Sequence, residues 1–262
     1  MAVYTRLTAT ELEKIVAAFD VGTLTSAKGI AEGVSNSNWL IETRRTSGAH
    51  ARFILTIYED RLEPDDLPFF LGMLDHLAAR GCPVPKTIHD REGAAHRMHA
   101  GKALALIEFL PGVSITEPTP AQARAVGEAL AQVHVAASDF APTRENALGP
   151  PAWRDLIGAC EPAALDAIEP GLAGALDVEM SFIEAQWPKG LPKSVIHADL
   201  FPDNVLLLGD RVSGLIDFYF ACNDVTAFDV ATTHAAWAFS EDGTRFDPTV
   251  ARALFEGYQS VR

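Results

Sequence analysis

The stretch SVIHADLFPDNVLLLGDRVSGLIDF, residues 194–218, places polar side chains between short apolar segments. One apolar run ends at His197, a second follows Asn204, and a third leads into Asp217. Gly209-Asp210, between the second and third runs, is typical of a hairpin turn. Because an ionised carboxylate is costly to bury without a partner, Asp217 at the end of an apolar strand requires a cation or hydrogen-bond donors nearby. A divalent metal ion would satisfy it.

The spacing H-x-D-x-x-x-x-N, followed by a strand that ends in Asp, fits the chemistry of phosphoryl transfer. Mg²⁺ prefers oxygen ligands, and the reaction also requires a carboxylate that receives the proton of the acceptor hydroxyl. We therefore predict that Asp199 is the catalytic base and that Asn204 and Asp217 are metal ligands. The alternative is structural: His197 and Asp199 pair with each other, and Asp217 caps a turn.

Four stretches carry a resemblance to a known family: TSAKGIAEGVSNSNWLIET, DLPFFLGMLDHLAARG, VIHADLFPDNV and LIDFYFACNDVTAFDVA. The chain resembles the aminoglycoside phosphotransferase and choline kinase-like family of small-molecule kinases, and within it the kinase-like branch of bacterial homoserine kinases of threonine biosynthesis. The resemblance implies an α+β, protein-kinase-like fold with a small antiparallel β-sheet lobe and a larger, mainly helical lobe. It implies ATP and Mg²⁺ as cofactors and L-homoserine as the substrate.

The resemblance also divides the chain into a nucleotide-binding lobe, residues 1–109, and a catalytic and substrate lobe, residues 110–262. An apolar strand predicted to end at Phe109 leads into the hinge between them. In the family, the main chain near Glu108 and Leu110 meets adenine, so both are predicted cofactor-binding residues. A plain strand end is the alternative for the Glu108 side chain. Relatives continue with further helices, so we expect the second lobe to be truncated.

Small and polar residues between two predicted strands form a candidate nucleotide-binding loop, which comprises Lys28, Gly29, Gly33, Ser35 and Asn36. Small side chains let main-chain N–H groups approach phosphates closely. The loop lacks G-x-G-x-x-G, and an ordinary hairpin is the alternative.

The family pattern is broken at the third strand, where kinases offer a lysine to the phosphates and this chain has Thr56. The helix predicted over Leu67–Ala79 also lacks a glutamate placed to pair with such a lysine. We predict that Lys28 supplies the missing positive charge. Arg44 and Arg45 are alternatives. The structural interpretation of all three is that they are ordinary exposed basic residues.

The resemblance gives structural roles to residues around the catalytic loop. His197 and Asp229 are predicted to support the loop, Asp229 through hydrogen bonds, with an N-cap of the next helix as its alternative. His134 is expected to pack beneath the loop without chemistry of its own. Asn223 and Asp224 are candidate acceptor contacts, although loop roles are favoured.

Helix periodicity and breaking residues outline the second lobe. Thr119 and Pro120 predict a helix start, and the following helix carries a buried apolar stripe. Two further helices, over residues 153–167 and 172–187, are predicted to line the acceptor pocket.

Composition limits the partners. A net charge of −14 without clustered Lys or Arg excludes nucleic acid and anionic membrane surfaces. No apolar run approaches the roughly 20 residues of a membrane span. The three cysteines are scattered and unpaired in sequence, so we expect reduced thiols and a cytoplasmic location. Oligomeric state is not indicated.

Other functions fit part of the pattern. The acceptor alcohol could be an aminoglycoside, choline or methylthioribose. Thr56 and the short C-terminus also fit a nucleotide-binding pseudokinase, and the same carboxylates could activate water in a metal-dependent hydrolase. The kinase is favoured because every element of the catalytic loop is present.

Overall fold

The computed structural model describes residues 5–30, 36–59, 64–240 and 242–262. The helices of these residues are α1 (Ala9–Ala17), α2 (Leu67–Ala79), α3 (Pro120–Ala136), α4 (Pro150–Gly158), α5 (Pro162–Ile168), α6 (Leu172–Gln186), α7 (Thr226–Ala238) and α8 (Pro248–Gln259). The strands are β1 (Thr23–Gly29), β2 (Asn36–Arg44), β3 (His50–Tyr58), β4 (Thr87–Ile88), β5 (Arg97–His99), β6 (Lys102–Glu108), β7 (Lys193–Ile196), β8 (Val205–Leu208), β9 (Arg211–Leu215) and β10 (Cys222–Val225).

The first six strands form one antiparallel sheet with the order β1-β2-β3-β6-β4, to which β5 adds beside β6. Helix α1 begins with a capping box, in which the Glu11 amide donates to Thr8 Oγ1 and Glu11 Oε2 accepts from the Thr8 amide. Its buried side chains pack on one face of the sheet, against residues such as Ile41 and Leu55. The opposite face, which carries Thr56 and Tyr58, therefore remains for α2 and for a ligand.

Two helices of the second half of the chain cross at glycines. A Cβ atom on Gly127 of α3 would lie 2.1 Å from the Leu254 carbonyl oxygen, and one on Gly257 of α8 would lie 2.0 Å from the Arg124 carbonyl oxygen. No larger residue fits at either position without separating the helices. Helix α8 consequently packs directly on α3, the helix that carries His134.

The segment after β6 lies against the hairpin of β8 and β9. The Val113 amide donates to the Leu207 carbonyl at 3.1 Å, and the Leu207 amide donates back at 2.9 Å. Gly112 has φ of 151°, and a Cβ atom there would lie 2.5 Å from Ser213 Oγ. A Cβ atom on Gly214 would lie 2.8 Å from Leu110 Cδ1. The predicted hinge is therefore packed closely on the strands that connect Asn204 to Asp217.

Most predicted elements agree with the observed ones, with two corrections. The prediction of α2 over Leu67–Ala79 is confirmed. The single helix predicted over residues 153–167 is wrong, because it is divided into α4 and α5, and Pro162 begins the second of them. The N-cap alternative for Asp229 is also wrong, because α7 begins three residues earlier, at Thr226.

All six strands of the large sheet lie within residues 1–109, but the boundary between lobes at residues 109 and 110 stays a prediction. Within the described ranges, no helix has both the length and the apolar composition needed to cross a membrane.

Candidate active site

The catalytic loop begins where β7 ends, and its main chain is held by Asp229 of α7. The amide of His197 donates to Asp229 Oδ2 at 2.7 Å, and the amide of Ala198 donates to Oδ1 at 2.8 Å. Ala198 has φ of 65°, a left-handed conformation that is unfavourable for a residue with a Cβ atom. The two hydrogen bonds fix the loop in this conformation immediately before Asp199.

Asp229 is itself part of a support cluster, which we define as the buried His134 and Asp229 together with the half-buried Tyr258. His134 Nε2 lies 2.8 Å from Asp229 Oδ2, and His134 Nδ1 lies 2.8 Å from the Tyr258 hydroxyl. Burial opposes ionisation of Asp229, but the hydrogen bond from His134 and the other donors hold its pKa below the usual range. Because an ionised carboxylate only accepts, Nε2 carries the hydrogen of His134. Helices α3, α7 and α8 thus converge on the loop.

His197 links the catalytic loop to the segment that carries Asp217. Its Nε2 donates to the Ile216 carbonyl at 3.0 Å, while its Nδ1 accepts from the Asp199 amide at 3.3 Å. The imidazole also packs on the Phe218 ring, with centroids 4.4 Å apart. Burial lowers the pKa of His197, so the ring is neutral and serves as a hydrogen-bonded connector.

The polar residues predicted to carry the chemistry lie together. Asn204 Nδ2 donates to the Asp199 carbonyl at 2.8 Å and to Asp199 Oδ2 at 3.1 Å. Burial, followed by the charges of Asp217 and Asp203, raises the pKa of Asp199 to about 6. Burial and Asp203 also raise the pKa of Asp217. Asp217 has φ of 64°, and the residue remains accessible to solvent although neighbouring groups partly enclose its carboxylate.

This donor set fits a Mg²⁺ ion that is shared with a nucleotide. Within the described part of the chain, no Lys, Arg or His forms an ion pair with Asp199, Asp203 or Asp217. A cation would relieve the repulsion between carboxylates that, after burial, raises the pKa values of Asp199 and Asp217. Among the same residues there is no cluster of three or more His, Cys, Asp or Glu able to hold a metal alone. Mg²⁺ commonly needs only one or two carboxylates plus phosphate oxygens and water.

The sheet presents a row of side chains on the face opposite α1. Lys28 pairs with Leu40, Leu40 with Ile54, and Ile54 with Ile107, so these four residues, which we call the cleft row, lie side by side on one face. The three aliphatic side chains are half-buried and Lys28 is exposed. Half-buried aliphatic groups beside one cation suit a flat apolar ligand that carries negative charge.

Other predicted nucleotide-binding residues have varied surroundings. Gly29 pairs with Trp39 next to the cleft row. Asn36 is buried and its Oδ1 accepts from the Glu59 amide at 3.4 Å, a contact at the end of the sheet. Gly33 and Ser35 lie outside the described residues.

The position of Glu108 bears on the prediction that the hinge binds adenine. Glu108 pairs with Phe53, which packs with α1, and Glu108 Oε2 accepts from the Lys86 amide at 3.3 Å. The carboxylate is therefore directed away from the cleft row, and only the main chain keeps the predicted role. The amide and carbonyl of Leu110 have no hydrogen-bond partner among the described residues, which leaves them available to a ligand.

The candidate acceptor contacts in β10 are engaged within the protein. Asn223 Oδ1 accepts from the Arg144 amide at 2.8 Å, and the Asn223 amide donates to the Arg144 carbonyl at 2.7 Å. Asp224 Oδ2 accepts from Asn146 Nδ2 at 2.7 Å. These bonds favour the structural roles of Asn223 and Asp224.

A model of the phosphotransferase enzyme family, APH, matches residues 26–262. The chain belongs to this family. It is 50% identical over 262 residues to proteins named homoserine kinase from Xanthobacter autotrophicus and from Rhizobium etli. Each alignment covers 100% of this chain and 79% of the relative.

Solved structures confirm the predicted α+β, protein-kinase-like fold. An amicoumacin kinase in complex with AMP-PNP and Ca²⁺ has a TM-score of 0.73 at 15% identity, covering 98% of this chain and 78% of that chain. A spectinomycin phosphotransferase in complex with ADP and spectinomycin has a TM-score of 0.71 at 16% identity, covering 97% and 80%. At such identities the similarity concerns the fold alone.

Two features of this APH-family phosphotransferase were missed by sequence reasoning. The first is the cleft row, which depends on the register between β1, β2, β3 and β6. The second is the set of contacts around Thr56, which occupies the position of the kinase lysine. Thr56 Oγ1 donates to Asn38 Oδ1 at 2.8 Å, and Tyr58, two residues further on, contacts Tyr219. Contacts between residues so far apart in the sequence leave no local signal.

Proposed function

We propose that this phosphotransferase is an ATP- and Mg²⁺-dependent homoserine kinase, which transfers the γ-phosphoryl group of ATP to the side-chain hydroxyl of L-homoserine. The observation that carries the reaction type is Asp199, hydrogen-bonded to Asn204 and close enough to Asp217 for their charges to interact. The observation that supports the acceptor is the 50% identity, along the whole chain, to proteins named homoserine kinase.

Asp199 is the proposed catalytic base. Its carboxylate accepts the hydrogen of the acceptor hydroxyl and orients the oxygen toward the γ-phosphorus. A new P–O bond forms to that oxygen while the bond from the γ-phosphorus to the bridging oxygen of ADP breaks, and Asp199 holds the released proton. With a pKa of about 6, the carboxylate is mostly ionised at neutral pH and remains basic enough to take part.

Asn204 and Asp217 are the proposed metal ligands, through the amide oxygen and the carboxylate. Bound there, Mg²⁺ would neutralise the negative charge of the phosphate oxygens. The Asn204 amide nitrogen is occupied by Asp199, so the amide oxygen is the atom that remains free to coordinate. His197 and Asp229 support this arrangement by fixing the main chain that leads into Asp199.

The cleft row and hinge are the proposed nucleotide site. The aliphatic side chains of Leu40, Ile54 and Ile107 would pack on adenine, and the main chain of Leu110 would hydrogen-bond to its edge. Lys28 would reach the phosphates from the end of the row, together with main-chain groups of the segment that begins at Gly29 and ends at Asn36.

The partners that we propose are ATP and L-homoserine, with no role for nucleic acid or membrane. Cys82, Cys160 and Cys222 are free thiols, which supports a reducing, cytoplasmic location.

The test is ADP release from ATP and Mg²⁺, with and without L-homoserine, for wild type and Asp199→Asn. We expect homoserine-dependent turnover that falls by about 100-fold or more in the variant. The matched control is Asp210→Asn in the exposed β8–β9 turn, which should keep wild-type turnover. The proposal fails if folded protein that binds ATP releases no ADP with homoserine, or if release does not depend on the acceptor.

The runner-up is a kinase of another small alcohol, because the fold is shared with kinases of unrelated acceptors. One of them is an aminopropanol kinase with a TM-score of 0.68 at 18% identity. Parallel assays with aminoglycosides, choline, methylthioribose and aminopropanol decide this question: a kcat/KM above that for homoserine would identify the true acceptor class.

A further inference from the structure

Residues 216 and 217, which include the proposed metal ligand Asp217, are hydrogen-bonded to the catalytic loop at their N-terminal side. The Ile216 amide donates to the Asn204 carbonyl at 3.0 Å, and His197 donates to the Ile216 carbonyl. Asp217 then adopts φ of 64° and ψ of 53°, a conformation that costs about 1–2 kcal/mol for a residue other than glycine. A residue in this conformation is stable only when its surroundings restrain it.

The other side of the segment is held by Tyr219, which contacts the large sheet and α2. Its hydroxyl lies 3.0 Å from the hydroxyl of Tyr58, at the end of β3. Its ring meets Tyr58 edge-on at 5.4 Å and Phe70 of α2 at 5.7 Å. Tyr58 is buried, with 4% of its surface exposed. This contact therefore joins residues on the two sides of the proposed nucleotide site.

We propose that Tyr219 is a positioning residue for Asp217, and that its hydroxyl bond to Tyr58 replaces the connection that a third-strand lysine makes in other kinases. Tyr58 is two residues from Thr56 and shares its sheet face, so the bond lies beside the position that lacks the lysine. In kinases, a lysine on that strand links the sheet to the nucleotide phosphates. Here the sheet is linked to the residue that would bind the metal on those phosphates.

Ring packing alone is the competing explanation, and substitution by phenylalanine separates the two. Phenylalanine keeps the ring contacts and removes only the hydroxyl. Tyr219→Phe leaves the buried Tyr58 hydroxyl without its partner, whereas Tyr58→Phe leaves the Tyr219 hydroxyl with Thr56 only. Removal of both hydroxyls leaves neither tyrosine with an unpaired group. A packing role therefore predicts that the double variant recovers whatever the single variants lose.

The experiment measures the affinity for AMP-PNP, in Mg²⁺ and in EDTA, for wild type, Tyr219→Phe, Tyr58→Phe and the double variant. We expect the gain in affinity that Mg²⁺ produces to fall by about tenfold in each single variant and to stay equally reduced in the double variant. Affinity in EDTA should stay at the wild-type value, because adenine contacts are untouched. Urea unfolding should show lower stability in the single variants and recovery in the double variant.

The inference is overturned if the double variant regains the wild-type Mg²⁺ effect along with its stability, or if no variant changes that effect. It rests on the proposed nucleotide and metal site but not on the acceptor. A wild-type protein that binds AMP-PNP more tightly with Mg²⁺ but does not phosphorylate homoserine would remove the proposed substrate and leave this test intact.

Discussion

The catalytic loop and the cleft row serve the same proposed reaction, but their side chains are held in place by different kinds of contacts. The loop amides donate to Asp229, which is hydrogen-bonded to His134, and His134 in turn contacts Tyr258 on a third helix. The cleft row presents half-buried aliphatic groups and the exposed Lys28, and its geometry follows from strand pairing. Proton and metal chemistry requires side chains held in position before the substrate arrives, whereas an apolar nucleotide surface can be completed by the ligand.

The largest expected effect on stability comes from Asp229→Asn, which disturbs the support cluster beneath the catalytic loop. The substitution removes the charge opposite His134 and one strong acceptor of the loop amides, so the free energy of unfolding should fall by about 3 kcal/mol. The turnover of molecules that remain folded should fall by about 10- to 100-fold. Urea unfolding and kcat, measured on the same samples, check both effects.

Asp139→Asn is the control for that variant. Asp139 also pairs with a histidine and an arginine, His76 and Arg80, but 65% of its side chain is exposed. Water screens exposed pairs, so the unfolding midpoint should match that of wild type. Equal losses in the two variants would contradict the special importance of the support cluster.

A pH profile distinguishes the effect of Asp199 protonation on activity from its effect on stability. Because burial raises the pKa of Asp199 to about 6, kcat/KM for the nucleotide should fall about tenfold per pH unit below that value. The folded protein binds this proton more readily than the unfolded chain does. The contribution of Asp199 to the free energy of unfolding therefore rises as the pH falls below about 6. Activity should be lost there while the fold persists.

Steady-state rates and urea unfolding at pH 5 and pH 7 check the separation. The residual activity of Asp199→Asn should lack this acid limb. Loss of activity at pH 5 that coincides with unfolding would contradict the assignment.

The smallest expected effect comes from Lys28→Met in the cleft row. Loss of one lysine contact to phosphate should raise KM for ATP by about tenfold, with kcat and stability little changed. Lys14→Met, on the exposed surface of α1, is the matched control and should leave KM unchanged. A drop in kcat with unchanged KM would contradict this role, because it would show that Lys28 acts in the chemical step and not in ATP binding.

The catalytic region was accessible from sequence because its spacing is local. Strands and a turn bring His197, Asp199, Asn204 and Asp217 together within 25 residues, and the β8–β9 hairpin follows from Gly209-Asp210. The direction of the Glu108 side chain and the Tyr58–Tyr219 contact were not accessible. They depend on sheet register and on residues about 160 positions apart, which local patterns do not encode.

The helix pair that crosses at Gly127 and Gly257 has a consequence for biosynthesis. Tyr258 follows the crossing directly and supplies the hydroxyl that contacts His134 beneath the catalytic loop. Because a chain emerges from the ribosome with its N-terminal part first, the large sheet and the loop are synthesised before this hydroxyl is available. The support cluster of the nascent enzyme is therefore completed only after α8 has been synthesised and docks on α3.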